Sequence, residues 1–117
     1  MEPMAEKLGA GKHMIPVLIV GAGPYGLSLA NYMSAMGQEF KIIGKPMELW
    51  REHTFSEASL RSEMATSEIA HPQSAYSIQT FRTQNGLDRG KPSERIDVKE
   101  YRQYIDWVLG EIPYEIQ

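Results

Sequence analysis

The chain has 117 residues and contains no cysteine. This absence excludes disulfides, metal sites built from thiolates and redox-active cysteine pairs. Because proteins of reducing compartments do without disulfides, we expect a cytoplasmic protein.

Long apolar runs and an excess of positive charge are also missing. No window approaches the roughly eighteen apolar residues of a membrane span, and the first residues lack the apolar core of a signal peptide. Lys and Arg number 12 against 15 Asp and Glu, which gives a formal net charge of -3. We therefore expect neither a membrane nor a nucleic-acid partner, since the latter needs a basic face. With 42% hydrophobic and 23% charged residues, the composition is that of a globular chain with one domain at most.

Three glycines follow the first strongly apolar run of the chain. Gly21, Gly23 and Gly26 form a G-x-G-x-x-G pattern between the apolar residues 17–20 and the helical run 27–36. In a turn between a strand and a helix, the first glycine permits the tight turn and the second lets the backbone approach a pyrophosphate. The third lets the helix pack closely on the strand, while the helix start offers free N–H groups to an anion. The sequence therefore predicts a dinucleotide-binding turn.

The elements after this turn continue the pattern, with one departure. The helix has apolar residues nearly all round, which predicts burial on more than one side, and Gly37 is expected to close it. A second strand, residues 40–43, then ends at Gly44 and Lys45, where an acidic residue would hold the ribose hydroxyls of a dinucleotide. Because that acid is missing, we expect the ribose to be held in another way or less tightly.

The middle of the chain is less regular. Residues 44–59 have no strong periodicity, and their large rings, including Trp50, are interpreted either as local core or as a wall along a cofactor. Arg61 is either a contact to a phosphate or substrate anion, or a solvated surface charge. Residues 77–81 are ambiguous between strand and helix.

A second clear helix is predicted to start at Asp97. Asp97 and Glu100 have the spacing of a capping box, and the apolar residues that follow recur with helical periodicity. Gly110 is expected to end this helix, with Pro113 preventing its continuation. Residues 114–116 could begin a further strand.

Together with later landmarks, the glycine turn resembles the FAD-binding half of flavin-dependent, NADPH-using monooxygenases, which belong to the FAD-dependent pyridine nucleotide oxidoreductases. The closer relatives in this resemblance are the N-hydroxylating enzymes that act on lysine or ornithine. The likeness covers residues 15–115. Its landmarks after the turn are Trp50, His53, residues 60–62, residues 71–77, Phe81, Arg95 and residues 101–107.

The resemblance implies a cofactor, FAD, and a set of residues that bind it. In that family the glycine turn holds the FAD pyrophosphate, and the segment after the second strand runs beside the flavin. The residues implied at the pyrophosphate are Gly21, Gly23, Pro24, Tyr25 and Gly26; those at the ribose end are Gly44 and Lys45; those nearer the ring are Trp50, His53, Leu60 and Arg61. The amino-acid hydroxylases also carry a lysine and a glutamine in the segment matching residues 62–70, and neither is present here. An amino-acid substrate is therefore not supported.

These observations predict an α/β fold of an incomplete Rossmann-like type: a βαβ unit, an irregular segment and a C-terminal helix. Residues 1–14 are expected to form a flexible leader, and residues 15–117 a partial FAD-binding domain. The family's NADPH domain has no counterpart in the sequence, so we expect a fragment, half of a split enzyme, or a subunit completed by another chain. No catalytic side chain and no metal site is predicted.

Three functions stay open at this point. The first is the FAD-binding portion of an oxidoreductase of monooxygenase type, with NADPH as a co-substrate of the complete enzyme only. The second is a non-catalytic nucleotide-binding or interaction module completed by another chain. The third is the nicotinamide-binding unit of a short dehydrogenase, which the missing acid and the lack of a Tyr-x-x-x-Lys pair disfavour. The substrate and the oligomeric state stay open as well.

Overall fold

The computed structural model describes residues 17–52 and 60–117, so the predicted leader and His53 lie outside the described residues. Strands β1 (Val17–Val20) and β2 (Phe40–Ile43) form a two-stranded parallel sheet, in which Val17 is opposite Phe40 and Val20 is opposite Ile43. Helix α1 (Pro24–Met36) supplies the crossover that two parallel strands need. With four α-helices in its described residues, the chain has the mixed α/β character that the sequence predicts.

Helix α1 ends as predicted but is covered on one side only. Gly37 adopts a left-handed conformation with φ of 74°, and its amide donates to the carbonyl of Ser34. Within the described part of the chain, the buried residues of α1 are Leu27, Ala30 and Asn31. The exposed large side chains are Tyr25, Leu29, Tyr32 and Met36. The expected burial on more than one side is therefore wrong for the described chain, because nothing in it packs on the outer face.

Three further helices follow β2. Helix α2 (Glu48–Glu52) is a short element within the segment expected to be irregular, and a 3-10 turn forms at Met64–Thr66. The ambiguous residues 77–81 form the N-cap and first turn of helix α3 (Ile78–Gln84). Ser77 explains why a helix forms there: its hydroxyl caps the helix by accepting from the amide of Thr80 at 3.0 Å.

Helix α4 (Val98–Glu111) has the predicted start and a slightly later end. The carboxylate of Asp97 accepts from the amide of Glu100 at 2.7 Å, as the capping pattern predicts. The helix passes through Gly110 and ends one residue later, shortly before Pro113. Its buried face consists of Val98, Tyr101, Tyr104, Ile105 and Val108.

The C-terminal residues add a single bridge to the sheet rather than a full strand. Ile116 pairs with Ile42 in parallel, and the amide of Gln117 donates to the carbonyl of Ile42 at 2.9 Å. The carbonyl of Ile43 instead accepts from Gly21, on the β1 side. Because successive carbonyls of a strand point to opposite edges, β2 lies between β1 and the C-terminal bridge.

Hydroxyl groups of α4 hold the segment between the 3-10 turn and α3 against the core. The buried Tyr104 hydroxyl accepts from the amide of Ile69 at 2.8 Å and donates to the carbonyl of Tyr76. The Tyr101 hydroxyl donates to the carbonyl of Ser67 at 2.7 Å. These bonds satisfy backbone groups that would be costly to bury unpaired, so α4 organises one wall of the site described next.

Candidate nucleotide-binding site

The three glycines of the turn between β1 and α1 each meet a different steric condition. Gly21 has φ of 110°, a conformation that residues with a Cβ rarely adopt. A Cβ on Gly26 would lie 1.9 Å from the carbonyl oxygen of Gly21, so α1 packs directly on the turn. A Cβ on Gly23 would meet no atom of the described chain within 4 Å. The side of the turn at Gly23 is thus open to a ligand, while the other two glycines shape the backbone.

The start of α1 leaves backbone donors available. Gly23 is the N-cap residue and no side chain of the described residues caps the helix. Across residues 17–52 and 60–117, no hydrogen bond engages the amides of Gly23, Tyr25 and Gly26. Pro24 has no amide to satisfy, so its place in the first turn costs no hydrogen bond. Free amides and the positive end of the helix dipole favour an anion at this position.

Gly44 closes the far side of the turn. It has φ of 133°, and a Cβ there would lie 3.1 Å from the amide nitrogen of Ala22 and 3.3 Å from the Cα of Gly21. The missing acid is therefore more than a change of residue type, because a side chain at this position would strain the backbone and crowd the turn. Lys45 points into solvent, with its Nζ 3.8 Å from a carboxylate oxygen of Glu48.

A cleft of about 190 Å³ adjoins the start of α1. Its walls come from α1, α2, α4 and the segment around the 3-10 turn. The lining residues are Pro24, Tyr25, Ser28, Trp50, Leu60, Ser62, Thr66, Ser67, Glu68 and Tyr101. Four of the residues that the family resemblance places near FAD thus lie on one cleft although they are far apart in sequence: Pro24, Tyr25, Trp50 and Leu60. Arg61 is exposed and does not line it.

Packing across the core holds the aromatic wall of the cleft in place. The ring of Trp50 meets that of Tyr101 edge to face, with centroids 5.3 Å apart. The carbonyl of Trp50 accepts from the Nε of Arg102 at 2.6 Å, which ties α2 to α4. Burial raises the pKa of the Tyr101 hydroxyl to about 12. The wall formed by Trp50 and Tyr101 is therefore uncharged, and both a ring contact and a backbone hydrogen bond hold Trp50 against α4.

Glu68 is the one charged side chain among the lining residues, and the sequence did not single it out. Burial raises its pKa, and the hydrogen bond from the amide of Ile78 to its Oε2, at 3.1 Å, opposes that rise. Tyr101 could have been found from its place on the predicted face of α4. No local pattern marks Glu68, because only the packing of α3 and α1 around residues 67–70 brings it to the cleft.

The cleft is small for a whole dinucleotide. Pockets that enclose a drug-sized ligand measure roughly 300 to 1,000 Å³, and this cavity is smaller.

In the described part of the chain, no group of three or more His, Asp or Glu side chains could hold a metal ion. No helix there is long and apolar enough to span a membrane.

No family model, no curated protein and no solved structure matches the chain. The resemblance to flavin-dependent monooxygenases therefore rests on the residues quoted for it alone.

Proposed function

We propose that this chain is the FAD-binding portion of a flavin-dependent oxidoreductase of monooxygenase type, built on an incomplete Rossmann-like fold. The observation that carries the proposal is the open side of the turn at Gly23, together with three amides of the same turn that have no partner in the described chain. A pyrophosphate is the group that such a turn suits, because it needs several backbone donors and a close approach.

Each part of the site has a role in this proposal. The amides of Gly23, Tyr25 and Gly26 donate to the pyrophosphate, and Gly21 and Gly26 keep the turn tight. The cleft beside Trp50 and Leu60 receives the part of the cofactor that continues toward the flavin ring. When bound, FAD supplies the hydride and oxygen chemistry, and the protein positions it and excludes water. In this proposal the adenosine ribose is held without a carboxylate at position 44, because a side chain there would be strained and would crowd the turn.

A completing polypeptide forms part of the proposal. The run Val17–Val20 is continuously apolar, which is typical of parallel strands covered on both faces. Ile19 is buried under α1, whereas Leu18 and Val20, on the other face, are 60% and 74% exposed in the described structure. We infer that a further layer, which also carries the NADPH site, covers this face in the active enzyme.

The decisive experiment replaces Gly23 by alanine. Gly23→Ala adds a methyl group on the open side of the turn, where it meets no atom of the described chain within 4 Å but stands where the phosphates approach. We expect FAD affinity, measured by titration of flavin fluorescence, to fall at least about tenfold while the circular dichroism spectrum is unchanged. Gly110→Ala, at an exposed glycine of α4, is the matched control and should bind FAD as the wild type does. A wild-type preparation that contains no flavin and binds no added FAD would contradict the proposal.

The uncovered face also favours a second candidate, a non-catalytic nucleotide-binding or interaction module completed by another chain. This module would bind nucleotide without oxidising NADPH, even after its completing partner is added. Oxidation of NADPH by the mixture would favour the oxidoreductase. Calorimetric titration with FAD and with NADPH tests the remaining alternative, because a nicotinamide-binding unit would prefer NADPH.

A further inference from the structure

Met47 connects the glycine turn to the aromatic wall of the cleft through its backbone. Its amide donates to the carbonyl of Ala22 at 2.9 Å, inside the turn. Its carbonyl accepts from the amides of Trp50 at 3.1 Å and Arg51 at 3.0 Å, at the start of α2. A single residue therefore bonds on one side to the proposed pyrophosphate site and on the other to the helix that carries Trp50.

The backbone of Met47 is in an unusual conformation. Its φ is 50°, and Ser74 is the one other non-glycine residue of the described chain with positive φ. Residues with a Cβ are strained in this left-handed region, and such strain persists where the surroundings dictate it. The side chain contributes to that constraint because it is only 1% exposed and belongs to the hydrophobic core. The residue is thus held by its side chain, its amide and its carbonyl at once.

We propose that Met47 is a positioning residue, whose left-handed backbone sets the placement of Trp50 relative to the glycine turn. The inference rests on the proposed function, since it assigns to Met47 an effect on cofactor affinity without any contact with the cofactor. Gly44, in the same loop, also lies close against the turn, since a Cβ there would be 3.1 Å from the amide nitrogen of Ala22. From α4, Arg102 bonds the carbonyl of Trp50 and the ring of Tyr101 contacts its ring.

Two isomeric substitutions separate this role from simple core packing. The leucine and isoleucine side chains that replace Met47 have the same atomic composition. Isoleucine branches at Cβ and is therefore much less compatible with positive φ than leucine, which does not. If Met47 acts through its backbone, Met47→Ile shifts the loop and Met47→Leu does not. If Met47 is only a packing residue, the two variants behave alike.

The first readout needs no cofactor. In a Trp107→Phe background Trp50 is the remaining tryptophan, since the chain contains two. We expect Met47→Ile to change the emission maximum of Trp50 and its quenching by acrylamide, while Met47→Leu retains the parent signal. Equal signals from both variants would overturn the inference, even if the chain binds no flavin.

The second readout is FAD affinity by flavin fluorescence. We expect Met47→Ile to weaken binding about tenfold and Met47→Leu to stay within about threefold of wild type. If wild type binds FAD and both variants match it, the positioning role is wrong while the proposed function stands. If wild type binds no FAD, the proposed function fails and the Trp50 signal alone decides the role of Met47.

A second pair covers the case in which Met47→Ile does not fold. Met47→Gly and Met47→Ala both remove the long side chain, but glycine adopts positive φ freely and alanine does not. We expect the glycine variant to keep the parent Trp50 signal better than the alanine variant. A packing residue would give the opposite order or no difference, and either result would overturn the inference.

Discussion

Helices α1 and α4 are of similar length, yet they begin and pack in opposite ways. Asp97 caps α4 with its side chain, and the apolar face of that helix is buried in the core. Helix α1 begins at an uncapped glycine and carries exposed apolar side chains on its outer face. The contrast indicates that the described chain itself caps and covers α4. The start and the outer face of α1, by comparison, are suited to binding a ligand or another polypeptide.

The two helical glycines provide the largest expected difference between these helices. Gly26→Ala places a Cβ 1.9 Å from a backbone oxygen, so the turn must open or α1 must shift. We expect a loss of about 3 kcal/mol in the free energy of unfolding. Gly110→Ala meets nothing within 4 Å in the described structure and should stabilise α4 by about 0.5 to 1 kcal/mol.

Urea denaturation followed by circular dichroism measures both changes. Equal effects from the two alanines would mean that α1 does not pack on the turn as described. The contrast between α1 and α4 would then fail for the close packing of α1 on the turn at Gly26.

High pH should reveal how completely α4 is covered. Burial raises the pKa of Tyr101 from 10.0 to about 12, so the folded state keeps this proton more tightly than the unfolded state does. The stabilisation from Tyr101 is full below pH 10 and is lost as the pH rises from 10 to 12. The loss from this one group amounts to about 3 kcal/mol. Denaturation midpoints across that range should fall less steeply in Tyr101→Phe, and an unchanged slope would show that this ring is solvated.

The cap of α4 gives a smaller effect. Asp97→Ala removes the acceptor for the amide of Glu100, and we expect α4 to lose about 1 kcal/mol of stability. Asp97→Asn keeps an acceptor of the same shape and should stay close to wild type in thermal unfolding. If the two variants lose the same stability, charge rather than capping holds this end.

The smallest change in stability is expected where α1 is made to resemble α4. Gly23 has extended backbone geometry, with φ of -84° and ψ of -166°, and its Cβ position is open. Gly23→Ser should therefore cap α1 and raise the stability of the free protein by a few tenths of a kcal/mol. Its hydroxyl occupies the position of the bound phosphates in the proposal, so FAD binding should weaken. Unchanged FAD binding would argue against the turn as the phosphate site.

Much of the fold was predictable from the sequence because the responsible forces are local. The apolar run of β1, the glycine spacing and Gly37 predict the strand, the turn and the end of α1 with short-range sterics alone. Asp97 and Glu100 do the same for the start of α4. Residues 77–81 stayed ambiguous because a short apolar run fits either period, and the Ser77 cap resolves them as helix.

The candidate site was only partly predictable. The turn follows from spacing, whereas Trp50 stayed open between local core and a wall along a cofactor, and Leu60 entered only through a family resemblance that no comparison supports. Glu68 was missed because it reaches the cleft through packing of distant segments. The left-handed backbone of Met47 has no local sequence signature either, since it results from the approach of the loop to Ala22.

The sequence by itself determined the βαβ order of residues 17–43, the tight glycine turn and the two helix boundaries marked by Gly37 and Asp97, because backbone sterics and capping act within a few residues. Tertiary structure alone decided which side of α1 is buried, how Trp50 and Tyr101 meet, and that Ile116 joins β2 opposite β1. Those outcomes depend on which segments, distant in sequence, bury their apolar surfaces against one another. The apolar periodicity of a helix or strand shows that one of its faces will be buried, but it does not show which segment covers that face.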